Sequence, residues 1–96
     1  GGLTKAREMI AVALRSGIRV RIEDTVGAEF VRSAVAHLAV TVPPAMLLAS
    51  YPHPASVALG RGEAVLRDGW LHPGTGPGLG VIPDLAVLGE PIAAYG

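Results

Sequence analysis

The feature that most constrains the fold is a strand–helix–strand pattern in the first half of the chain. Residues 18–22 alternate apolar and charged side chains and are rich in β-branched residues, which is typical of a strand. A second apolar run at 46–49 has the length of a buried strand, and an amphipathic helical pattern lies between the two. A crossover of this length joins parallel strands in a right-handed βαβ unit. The pattern therefore predicts two parallel neighbouring strands with a helix packed on one face.

Two helices are predicted from apolar side chains at helical spacing. The first spans residues 5–16, with Thr4 as its N-cap and Gly17 as the left-handed residue that ends it. The second begins at Gly27 and stops before a Pro-Pro pair, because proline cannot continue a helix. We expect the second helix to bury one apolar stripe, formed by Phe30, Val31, Ala34, Val35 and Leu38.

The second half of the chain is rich in glycine and proline. Residues 63–72 indicate a β-hairpin with a type I′ turn at Asp68-Gly69. Residues 74–80 look like a phosphate loop but lack a preceding strand, a following helix and a Lys-Ser/Thr ending, so we predict a turn. Pro83-Asp84 is predicted to cap one helical turn that ends at Gly89.

A sheet made of only these two parallel strands would be incomplete. Parallel strands occur almost only in sheets that are covered on both faces, and two helices and a hairpin leave one face bare. Half of the residues are hydrophobic, so the chain has much apolar surface to bury. We expect either further strands upstream in the same polypeptide or oligomerisation.

Composition narrows the classes of partner. Eight basic and eight acidic side chains balance, so no long-range field attracts nucleic acid or an anionic membrane. Cysteine is absent, no apolar run reaches the roughly 20 residues of a membrane span, and the three histidines lack zinc-site spacing. We expect a cytoplasmic protein that binds a small molecule, without nucleic-acid or membrane partners.

Four short motifs, taken in order, resemble segments of one enzyme family. They are GGLTKA at residues 1–6, AHLA at 36–39, DG at 68–69 and PGLG at 77–80. In this order and at this spacing they resemble the C-terminal barrel region of the mandelate racemase and muconate lactonizing enzymes of the enolase superfamily. Residues 22–25, 36–39 and 87–91 further resemble the branch that includes cis-3-hydroxyproline dehydratases and proline-betaine epimerases.

The resemblance implies an α/β fold, the C-terminal fragment of a (β/α)₈ barrel. Residues 1–50 would supply helix 6, strand 7, helix 7 and strand 8 of the barrel. Residues 51–96 would form the post-barrel loop, the β-hairpin and a Gly/Pro-rich return segment that packs on a capping domain. We expect the full-length protein to be a homo-oligomer.

The resemblance also implies a reaction. Enzymes of this family abstract the proton α to a carboxylate, with Mg²⁺ stabilising the enediolate. The substrate would be a small amino-acid-derived carboxylate, such as a proline derivative, and the outcome epimerisation (or racemisation) or dehydration. The family's metal ligands and catalytic lysines would all precede Gly1. The alternative is that these residues are all that is translated, and the chain is then an inert fragment or an assembly segment.

Candidate site residues follow from the rule that barrel enzymes carry their reacting groups at the carboxyl ends of strands. Here those positions hold Glu23, Asp24 and Thr25 after the first strand, and Tyr51 and His53 after the second. A carboxylate at 23 or 24 could accept a hydrogen bond from a substrate ammonium or orient a lysine. An aromatic ring at 51 or 53 could hold a cationic nitrogen against its face.

Each candidate also has a purely structural explanation. Glu23 could pair with Arg19 or Arg21, and the two aromatic residues could simply pack the loop. Mandelate racemase itself resembles this layout but carries a catalytic His and a Glu at the two strand ends, where this chain has Glu23-Asp24 and Tyr51. Its His-based mechanism is therefore not expected, and lysine-based chemistry is favoured.

Overall fold

The computed structural model describes residues 1–24, 27–51, 57–62 and 64–95. In the first half, the helices are α1 (Gly2–Arg15) and α2 (Glu29–Ala39), a 3₁₀ turn spans Pro44–Met46, and the strands are β1 (Val20–Glu23) and β2 (Leu47–Tyr51). In the second half, the elements are β3 (Gly60–Arg61), β4 (Val65–Arg67), β5 (Trp70–His72), β6 (Ile82–Pro83) and α3 (Leu85–Leu88).

The predicted βαβ unit is confirmed. Strands β1 and β2 pair in parallel, with Ile22 opposite Ser50 and Glu23 opposite Tyr51, and α2 packs against both strands. Along β1 the side chains alternate between half-buried and exposed positions, as the sequence pattern predicts. Both strands therefore end at the same edge of the sheet.

Helix α1 ends as predicted but begins earlier. It starts at Gly2 with Gly1 as its N-cap, so the prediction of Thr4 as the N-cap is wrong. At the other end Gly17 has φ of 67°, and Ile18 N–H donates to Ala13 O while Gly17 N–H donates to Leu14 O. These two bonds form a Schellman motif. Ile18 therefore belongs to the end of α1. The prediction that it lies in the first strand is wrong, because β1 begins at Val20.

Helix α2 buries a different face from the predicted stripe. Of the five predicted residues only Val35 and Leu38 are buried, and Val31 is 39% exposed. The buried face also includes two polar residues, Glu29 and Ser33. Both contact the backbone of the segment that returns after β2, an interaction that helical spacing alone does not reveal.

The turns of the second half form as predicted. Asp68 and Gly69 both have positive φ, 53° and 79°, which is the backbone of a type I′ turn between β4 and β5. Asp84 caps α3, because its Oδ1 accepts a hydrogen bond from Ala86 N–H at 3.1 Å. In the described part of the chain, no helix is long and apolar enough to cross a membrane.

The hydrophobic core within the described residues is small. It consists of Val35, Ala36, Leu38, Ala39, Val42 and Ala64. Helix α1 contributes no buried residue. Large apolar side chains remain exposed on β2 and on the hairpin, among them Leu48, Leu66 and Trp70.

Candidate functional site

The candidate site lies where the two parallel strands end. Glu23 is the last residue of β1 and Tyr51 the last residue of β2, and the two are register partners. Asp24 follows directly after Glu23. The structure therefore brings three of the five predicted site residues to one edge of the sheet. Thr25 and His53 lie outside the described residues, and Tyr51 is described only in its backbone.

Glu23 faces the exposed side of β1 and pairs with an arginine on the same side. Its Oε2 lies 2.6 Å from Arg21 Nε, and the two side chains are 50% and 55% exposed. Of the two structural partners proposed for Glu23, the contact is with Arg21. An ion pair this open to solvent contributes about 1 kcal/mol or less, so little free energy is needed to exchange Arg21 for another cation.

Asp24 lies on the other side of the chain, against the start of α2. Its Oδ2 is buried, and a Cβ added at Gly27 would lie 2.5 Å from it. The residue as a whole is half-buried, so part of it remains accessible. The two adjacent carboxylates thus occupy different surroundings: Glu23 lies beside an arginine at the surface, and Asp24 has a buried oxygen close to Gly27.

Two side chains that the sequence analysis did not single out hold the returning chain on α2. Glu29 is 3% exposed, and its Oε2 accepts a hydrogen bond from Leu59 N–H at 2.9 Å. Ser33 is fully buried, and its Oγ accepts from Ala64 N–H at 3.1 Å. The two residues are four positions apart and so lie on one helix face. That spacing is the only signal in the sequence that could have revealed them.

An apolar cleft of about 940 Å³ lies beside β2. It is bounded by β2, the end of α2 and the β4–β5 hairpin, and includes Leu47, Leu48, Leu66 and Trp70. Glu23 and Asp24, the predicted site residues whose side chains the structure describes, do not line it. Within the described residues β2 pairs only with β1, so its other edge opens onto this cleft.

The donors for Mg²⁺ are not found in the described residues. No group of three or more histidine, aspartate or glutamate side chains in that part of the chain is arranged to hold a metal ion. The described side chains of this chain therefore do not fit a metal centre.

A parallel βαβ unit with its polar groups at the carboxyl ends of the strands defines an α/β protein that carries its site at one edge of the sheet. No family model matches the chain. It is similar to the cis-3-hydroxy-L-proline dehydratase of Roseibium aggregatum, with 37% identity over 99% of this chain and 26% of that protein.

Two solved structures are similar in both fold and sequence. A mandelate racemase/muconate lactonizing enzyme from Roseovarius nubinhibens superposes with a TM-score of 0.90 and 36% identity, over 97% of this chain and 26% of that one. A protein of the same type from Aspergillus oryzae gives 0.88 and 34%, over 99% and 27%. The chain belongs to the enolase superfamily, in its mandelate racemase/muconate lactonizing group. It spans about a quarter of the length of these relatives.

Proposed function

We propose that this chain is part of an enzyme that removes the proton α to the carboxylate of a small amino-acid derivative. The observation that carries the proposal is the 37% identity, along nearly the whole chain, with a cis-3-hydroxy-L-proline dehydratase. A hydroxylated proline is therefore the proposed substrate class, and loss of water the proposed outcome. Epimerisation of a proline derivative begins with the same proton abstraction and is the second candidate.

The proposed architecture is a (β/α)₈ barrel completed by residues outside this chain. Residues 1–50 would form its last units, and residues 51–96 would return to a capping domain. The parallel pairing of β1 and β2 supports this arrangement. The apolar cleft along the open edge of β2, with Leu48 and Leu66 more than half exposed, is the surface that neighbouring barrel elements would cover.

The proposed role of this chain is to bind and orient the substrate. Asp24 or Glu23 would accept a charge-assisted hydrogen bond from the substrate ammonium, and Tyr51 and His53 would shape the pocket beside it. Thr25, the next residue after Asp24 in the sequence, is the fifth candidate. The lysine bases, and the ligands of a Mg²⁺ ion that would stabilise the enediolate, are proposed to lie outside this chain.

The proposal is tested with the longer protein that contains this chain. It is incubated in D₂O with cis-3-hydroxyproline, proline betaine and unmodified proline, and the products are followed by ¹H NMR. We expect loss of the α-proton signal and elimination of water from the hydroxylated compound. Proline is the matched control, because it has an α-proton but no hydroxyl group to lose. Retention of every α-proton would contradict the proposal.

The alternative is a chain translated alone, without the residues that do the chemistry. The reading frame upstream of Gly1 separates the two. A Lys-x-Lys strand, three spaced acidic residues and a lysine just before Gly1 would support the enzyme. A stop codon there would leave only an inert or assembly segment.

A further inference from the structure

Gly27, between β1 and α2, occupies a position with no room for a side chain. A Cβ atom there would meet Val31 Cβ first, and it would also lie 2.5 Å from Asp24 Oδ2 and 2.7 Å from Val31 Cγ1. Both distances are well inside ordinary van der Waals contact. The requirement for glycine at this position therefore comes from two neighbours at once, one on the strand side and one on the helix.

The two neighbours differ in how easily they can move away from an added Cβ. Val31 meets the added atom with its own Cβ, which is bonded to the backbone of α2 and moves only if the helix moves. Asp24 Oδ2 is the end of a rotatable side chain, so the carboxylate is the neighbour that gives way, although this oxygen is buried. A Cβ at position 27 would drive this oxygen from 2.5 Å to the 3.4 Å or more of normal contact, a shift of about 1 Å.

We propose that Gly27 is a positioning residue for substrate binding, because the absence of its side chain is what allows the Asp24 carboxylate to lie against the start of α2. The inference rests on the role proposed above for Asp24. A misplacement of about 1 Å in a group that orients the substrate can reduce the rate by about a hundredfold. Gly27 thus contributes to the reaction without touching the substrate.

The test is a double-mutant cycle in the longer protein, measured as kcat and KM with the compound that turns over fastest. Gly27→Ala is expected to lower kcat/KM by about ten- to a hundredfold. In an Asp24→Asn background the same change is expected to have almost no further effect, since the group that it displaces is already disabled. Effects that multiply would overturn the proposal, as would unchanged kinetics for Gly27→Ala.

A second variant separates positioning from helix packing. Gly27→Ala with Val31→Gly relieves the clash with the helix, because glycine removes the Cβ that alanine would keep, but leaves the clash with the carboxylate. We expect this pair to recover the melting temperature of Val31→Gly alone, which is the control, but not its kcat/KM. If kcat/KM also returned to the level of that control, the loss would belong to α2 packing and the inference would be wrong.

The crystal structure of the Gly27→Ala protein gives an answer that does not depend on the substrate. A displaced Asp24 carboxylate supports the steric argument, and an unmoved one overturns it. If the parent protein turns over none of the compounds, the proposed function fails, and this structure alone still decides whether Gly27 positions Asp24.

Discussion

Two adjacent acidic residues, Glu23 and Asp24, have different surroundings although they are neighbours in the chain. Glu23 points to the exposed side of β1 and contacts Arg21, whereas Asp24 Oδ2 is buried beside Gly27. Glu23 is the last residue of β1, whereas Asp24 lies just beyond the end of the strand. A mutation at either position therefore tests a different contact, even though the two carboxyl groups are chemically alike.

Asp24→Asn in the longer protein is expected to lower kcat/KM by about ten- to a hundredfold. The substitution keeps the shape of the side chain but removes the charge, and a hydrogen bond to a charged group is worth about 1.5–3 kcal/mol. The melting temperature is expected to change little. The measurements are steady-state kinetics, with the compound that turns over in the D₂O experiment, and thermal unfolding.

Glu23→Gln is the matched control for this prediction. It weakens an ion pair whose side chains are half exposed, so the expected stability change is about 1 kcal/mol or less. Unchanged kinetics in Asp24→Asn would reduce Asp24 to a structural residue. A loss confined to Glu23→Gln would transfer the proposed binding role to Glu23.

At the scale of elements, α2 joins the parallel strands to the segment that returns after β2. Its apolar face packs on β1 and β2, while Glu29 and Ser33 accept backbone hydrogen bonds from Leu59 and Ala64. These two bonds satisfy N–H groups that would otherwise lose water without a partner. The helix therefore fixes the path of a segment that has little regular structure of its own.

Ser33→Ala is expected to destabilise the longer protein by about 1–3 kcal/mol, because Ala64 N–H would be left buried without its acceptor. Thr41→Ala is the matched control. Its Oγ1 donates to Leu38 O at 2.7 Å, but Thr41 is exposed and water can replace the bond. Urea unfolding of both variants gives the two changes in the free energy of unfolding. Equal changes would contradict the prediction that losing the buried Ser33 bond costs more than losing the exposed Thr41 bond.

At the scale of the whole molecule, the described residues bury few large side chains. The core holds six apolar residues, α1 buries none, and the parallel sheet has only two strands in the part of the chain described. Parallel sheets of this size do not stand alone, since each face needs a covering layer. The stability of this chain is thus expected to depend on contacts beyond its own residues.

The isolated chain of 96 residues is therefore expected to lack a cooperative thermal transition and to bind a hydrophobic dye. Circular dichroism, dye fluorescence and size-exclusion chromatography make the measurement. A monomer with one sharp transition would contradict the argument that the sheet is incomplete. A cooperative oligomer would mean that a second copy covers the open edge of β2.

Metal removal tests the proposed cofactor at the same scale. Activity of the longer protein is expected to disappear with EDTA and to return with Mg²⁺. In the longer protein, Glu23→Gln and Asp24→Asn are expected to leave the affinity for Mg²⁺ unchanged, because the described residues of this chain contain no cluster of metal ligands. Activity that survives exhaustive chelation would contradict the proposed Mg²⁺ dependence.

The sequence by itself determined the parts of the structure that depend on neighbours along the chain. The βαβ order follows from the two strand patterns and the helix between them, and the hairpin follows from Asp68-Gly69, whose turn needs positive φ. Only the tertiary structure decided which face of α2 is buried, because Glu29 and Ser33 meet backbone some thirty residues away. It also decided how little space is left at Gly27, where an added Cβ would meet both Val31 and a carboxylate three residues before the glycine, since helical and strand periodicities describe single elements and not the space between them.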